Sequence, residues 1–141
     1  MNATRDIRRC ALQQLYQMDS GGGGEELVGS LGHEGESRAE LRIRADGAML
    51  ASSAWSSRAL ADQEISLYTP EWPIHRQPVV DRNVLRLAWW EMVRGGVPPA
   101  LAINEAVELA REFGGERSPA FVNAVLDRIR RERGVAASEP E

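Results

Sequence analysis

An all-α fold is what this sequence predicts, and three observations carry the prediction. Apolar residues recur at three- and four-residue spacing in separate segments, glycine and proline punctuate those segments, and no alternating strand pattern of useful length appears. Pro78 opens the clearest segment, in which Val80, Val84, Leu87, Ala88 and Met92 form one stripe; Gly95-Gly96 and Pro98-Pro99 stop it. A second stripe of Ala102, Ile103, Ala106, Val107, Ala110 and Phe113 runs to Gly114-Gly115. Ser118-Pro119 then reads as an N-cap with proline at the first helical position, opening a third stripe of Phe121, Val122, Val125, Leu126 and Ile129 that fades at Gly134.

The first half is more broken. Ile7, Cys10, Ala11, Leu15 and Met18 predict an amphipathic helix capped by Thr4. Residues 20–46 read as a flexible, acidic and glycine-rich segment with at most a short helix, around Glu25 to Leu31 or Ala39 to Arg44. From about Gly47 to Leu67 the residues Leu50, Ala54, Ala61, Ile65 and Tyr68 predict a further helix, closed by Pro70, Trp72 and Pro73. Five or more helices follow, in a single domain over residues 1–134 with a disordered tail from 135 to 141.

At 141 residues the chain has the size of one domain, and no apolar run approaches the roughly 18 residues of a membrane span. Met1 to Cys10 lacks the apolar core of a secretory signal, and one cysteine excludes an internal disulfide framework; a soluble protein of a reducing, cytoplasmic compartment is expected. The net charge is −4, yet all 17 basic residues are arginine and they cluster. Arg5, Arg8 and Arg9 face Asp6 alone at the N-terminus, while Arg128, Arg130, Arg131 and Arg133 outnumber Asp127 and Glu132 near the C-terminus. An acidic protein can thus present a basic face. The bland alternative is an ordinary mixed surface with arginines opposing a helix dipole, and it suits the C-terminal cluster better.

Catalytic constellations are missing from the sequence. His33 and His75 have no second ligand at helical spacing, and the Gly21–Gly24 run leads into Glu25-Glu26, which repels phosphate. Cys10 lies on an apolar stripe, Glu105 and Glu108 read as a solvated flank, and at least one of Trp89 and Trp90 is expected in the core. Asn104 and Asn123 sit among apolar neighbours, which predicts a packing hydrogen bond for each. Arg5 and Arg8 flank the N-terminal stripe and are expected in solvent.

Three stretches resemble the NusB family of bacterial transcription antitermination factors: WPIHR with DRNVLRLAWWEM, then VPPALAINEAVELAREFGGERSPAFVNAVLDRIRR, and the opening RRCALQQLYQMD. Together they cover more than half the chain in family order, whereas residues 20–67 match only loosely. The resemblance implies a compact helical bundle of about six to seven helices in two small subdomains, with no active site and no cofactor. It further implies binding to boxA-type single-stranded RNA of nascent ribosomal RNA, in concert with the ribosomal protein NusE, inside a complex with NusA, NusG and RNA polymerase.

Carried over position by position, the resemblance gives Arg5, Arg8, Arg9, Arg117, Ser118 and Phe121 as RNA-contacting residues and Tyr16, Asp81 and Arg82 as partner-contacting ones. Asp6 and Thr4 stand where basic residues are common in the family, and Arg117 where an acidic one is frequent. Two alternatives stay open: a helical adaptor that binds protein only, and a relative of the N-terminal domain of ribosomal RNA cytosine methyltransferases, which here would lack its catalytic part. Self-association into a homodimer is also open.

Overall fold

The computed structural model describes residues 2–21 and 35–137. Among them are six α-helices and one 3-10 turn, with no strand: α1 (Asn2–Ser20), α2 (Arg38–Ser56), α3 (Arg58–Leu67), the 3-10 turn Ile74–Arg76, α4 (Val79–Val93), α5 (Pro99–Phe113) and α6 (Ser118–Ala137). None of these helices is long and apolar enough to cross a membrane. The short helix considered for Glu25 to Leu31 and the residue His33 lie outside the described residues.

Helix α4 is the hub, touching each of the other helices, while α1 pairs with α2 and α5 with α6. The expected stripe understates it. Val84, Leu85, Leu87, Ala88 and Trp89 are all buried, and so are Asp81, Asn83, Arg86 and Glu91 between them. A helix surrounded on every side buries its polar residues too, and each needs a partner. Asn83 donates to Asp19 at 2.8 Å and to the carbonyl of Val79 at 2.8 Å. Arg86 spans Asp62 and Asp19, and the Trp89 indole N–H donates to Glu64 at 2.8 Å. Around this hub Leu12, Leu15, Ile65, Ile103, Leu109, Val122, Leu126 and Ile129 close the core.

Several boundaries differ from expectation. Residues 38–46, expected in the flexible segment, form the first half of α2, which starts at Arg38 rather than near Gly47. Its start is fixed by a capping box in which the Ser37 hydroxyl accepts from the Glu40 N–H and the Glu40 carboxylate accepts from the Ser37 N–H. The helix expected to run unbroken to Leu67 divides at Ser57, whose hydroxyl bonds back to the Ser53 carbonyl at 3.1 Å. Helix α1 begins before Thr4, and α6 continues past Gly134 to Ala137. Asn104 and Asn123 are both exposed, so neither makes the buried packing bond expected; Asn83 does.

Candidate nucleic-acid interface

The candidate residues fall into three groups. At the head of α6, Gly114 ends α5 and the chain turns through Glu116 and Arg117. The Ser118 hydroxyl fixes this turn: it accepts from the Gly115 N–H at 2.9 Å and donates to the Asp81 carboxylate at 2.7 Å. A β-carbon on Gly114 would lie 2.6 Å from that hydroxyl and 2.8 Å from the Ala110 carbonyl, so glycine alone allows the approach. Ser118 is therefore the first residue of α6 and not a cap for its amides, contrary to expectation. Both partners of the bond are buried, Asp81 to 2% exposure, and burial pushes the Asp81 carboxyl above its ordinary range while the Ser118 bond opposes the rise. Expected at a partner surface and an RNA surface, Asp81 and Ser118 instead anchor the turn that holds Arg117 outward.

Arg117 is exposed and makes no ion pair among the described residues. Phe121, one turn further, is half-buried and packs edge-on against Trp72, with ring centroids 4.7 Å apart and planes at 63°. Trp72, Pro78, Arg117, Ala120 and Phe121 line an open groove of about 960 Å³. Sequence reasoning set Trp72 in a closing turn and counted it among four tryptophans able to stack on bases, without assigning it to a site. The signal available was an aromatic residue in a proline-bounded loop, where nothing requires burial.

The N-terminal arginines form the second group, and each is already engaged. Arg5 makes a two-pronged pair with Glu105, Nε to Oε1 at 3.0 Å and Nη2 to Oε2 at 2.9 Å. Arg9 donates to Glu112 at 3.0 Å and to Asp6 at 2.8 Å. Arg8 is 4% exposed, held by Glu91 at 2.9 Å with Glu105 at 3.9 Å. Its expected exposure is wrong: Arg8 turns inward because two carboxylates on α4 and α5 wait there. Glu105, expected on a solvated flank, is buried, and the hydrogen bond and charge of Arg5 hold its carboxyl below the ordinary range. Glu91, deeper, is pushed up by burial against the opposing pull of Arg8.

The third group clusters where α1 ends against α4. Arg82 donates to Asp19 at 2.6 and 2.9 Å and to the Ile74 carbonyl at 3.3 Å, so most of its donors serve the fold. Tyr16 is 45% exposed on α1. In the C-terminal cluster the arginines pair with Glu132, Asp127 and Glu64. No group of three or more metal-ligating side chains comes together among the described residues.

The sequence model of the NusB family matches residues 5–131. This chain belongs to the NusB family. A transcription antitermination protein NusB from Desulforapulum autotrophicum is 36% identical over the full length of both chains. The fold agrees with T. maritima NusB at a TM-score of 0.75 and 31% identity, over 91% of this chain and 90% of that one. It also agrees, at 24% identity and a TM-score of 0.75 over 94% and 98% of the two chains, with a NusB chain solved as antitermination factors NusB and NusE in complex with dsRNA. The NusB fold thus sets five helices around α4, and the turn before α6 presents an exposed arginine beside an aromatic pair.

Proposed function

We propose that this chain is a transcription antitermination factor that works by assembly and without an active site. In this reading it binds boxA-type RNA together with the ribosomal protein NusE, and the pair joins NusA, NusG and RNA polymerase in the cytoplasm. The carrying observation is the pairing of the free Arg117 with the Phe121–Trp72 edge pair at the head of α6. Single-stranded RNA is held by arginine on phosphate and by ring faces on unpaired bases, and this groove offers both. Support comes from full-length relatives named as antitermination proteins and from the related structure of NusB with NusE and RNA.

Arg9 contributes after exchange: phosphate replaces Glu112 as its partner, since an exposed pair of this kind is held weakly. Arg5 keeps its two-pronged pair with the buried Glu105 and adds positive charge from its half-exposed side chain. Arg8 supports the surface from below and makes no RNA contact. Tyr16 is the exposed candidate for the NusE contact, with Arg82 holding the end of its helix through Asp19, while Asp81 serves the turn before α6. RNA binding is therefore weak for the chain alone and tighter with NusE, and by reciprocal linkage RNA strengthens the protein pair by the same factor. Calorimetric titration of boxA-type RNA with and without NusE tests this. Identical RNA affinity in both titrations would contradict a shared assembly, and binding of NusE without any RNA affinity would favour the adaptor alternative.

A further inference from the structure

The helix that opens the groove carries a second feature along the same face. From Arg117, immediately before α6, the positions Phe121, Ala124, Arg128 and Arg131 follow at alternating spacings of four and three. That spacing lines them along one helical face about 20 Å long at a rise of ~1.5 Å per residue. Past Phe121 this face forms one wall of a second groove of about 400 Å³; Tyr68, Thr69, Pro70, Glu71 and Trp72 form the other. Phe121 and Trp72 line both grooves, so the two meet across their ring pair. The Arg128 guanidinium sits 5.1 Å from the centre of the Tyr68 ring, and Ala124 leaves the floor low between the arginines and Phe121.

Both arginines remain available. Arg128 and Arg131 keep 55% and 66% of their side chains in solvent, and their partners, Glu132 at 3.3 Å and Asp127 at 3.1 Å, stand one turn away on the same helix. Such pairs are worth only a few tenths of a kcal/mol and yield readily to phosphate. Glu71 is the one carboxylate lining the groove.

Resting on the reading that the head of α6 binds RNA, we propose that the RNA path continues beyond Phe121 along this face, with bases against Trp72 and Tyr68 and phosphates on Arg128 and Arg131. The occupant is single-stranded RNA, because alternation of ring and guanidinium along a continuous track matches alternation of base and phosphate, and a duplex keeps its base faces stacked inside. Arg128 and Arg131, two of the four C-terminal arginines that the sequence offered as counterweights to a helix dipole, thereby become the far end of the site.

Fluorescence anisotropy of the full chain decides the matter, using the shortest oligonucleotide it binds and a longer one extending the same sequence at both ends. The parent binds the longer RNA more tightly. The double variant Arg128→Gln/Arg131→Gln loses that gain and about 1.4 of the salt slope on the longer RNA, at ~0.7 per phosphate contact, and binds the shorter one like the parent. Arg128→Lys/Arg131→Lys restores the slope, which a merely structural role would not produce, and Arg117→Gln weakens both RNAs. Equal affinity of the parent for both lengths overturns the extension, as does a double variant indistinguishable from the parent while Arg117→Gln still weakens binding. Loss of affinity for NusE with RNA binding intact marks the groove as a protein dock and also overturns it. Absence of binding to either RNA by the parent overturns the underlying reading as well.

Discussion

Arg8 and Arg9 are adjacent in the chain and opposite in circumstance. Removing the Arg8 side chain strands the Glu91 carboxyl, which burial already pushes upward, so Arg8→Ala should lose about 3–5 kcal/mol in urea denaturation. Arg9→Ala should leave the denaturation midpoint near that of the parent, since the side chain sits in solvent. Asp6→Asn/Glu112→Gln removes both carboxylates that compete with phosphate for Arg9; RNA affinity should rise and the salt dependence should steepen, and unchanged affinity would show that Arg9 takes no part. The sequence set Arg8 beside a stripe of Ile7, Cys10 and Ala11, whereas the buried face runs through Arg8, Ala11, Leu12 and Leu15. The partner that holds Arg8 there is Glu91, 83 positions away. Local periodicity carries no information about a partner that distant. Asn104 and Asn123 failed for the converse reason: apolar neighbours in sequence say little about which side of a helix a residue occupies.

Among the elements, α4, α5 and α6 were readable because proline and glycine mark their ends and their apolar stripes are dense. Helix α2 was not, although Ser37 and Glu40 spell out a capping box, because its first half is charged, arginine-rich and exposed and so has no strong stripe. Its interior Gly47 is explained only by the fold. A β-carbon there would stand 2.6 Å from the Cys10 β-carbon, 3.2 Å from the Ile7 carbonyl and 3.3 Å from the Ala11 amide, so α1 and α2 touch backbone to backbone. Alanine would gain up to about 1 kcal/mol of helix propensity, against about 1–3 kcal/mol of overpacking. Gly47→Ala should therefore lower the thermal midpoint, and a variant more stable than the parent would contradict the close approach.

For the molecule as a whole, ion pairs between distant helices couple stability to pH. Burial alone would raise Asp19 and Glu64, but hydrogen bonds from Arg82 and Asn83, and from Arg133 and Trp89, outweigh it; both end below their ordinary ranges, as does Glu105 beside Arg5. The unfolded chain thus binds more protons in this range. The stability these carboxylates contribute is present above about pH 4 and lost as pH falls through their folded values. Asp81 and Glu91, raised by burial, have the opposite sign and lose stability as pH rises from the ordinary range to their folded values. Glu105→Gln should accordingly flatten the acid limb, with a larger loss of urea midpoint at pH 7 than at pH 3. The packing of five helices around α4 gives these charges their partners, while Arg117 has no ion pair among the described residues. The measurement that bears most directly on that surface is RNA binding across salt concentration for the parent, Arg117→Gln and Phe121→Ala, each with its melting curve. The account predicts a slope lower by about 0.7 for Arg117→Gln. For Phe121→Ala it predicts binding weaker by about 1–3 kcal/mol at an unchanged slope. Folded variants that both bind RNA with the parent's affinity and slope would contradict it.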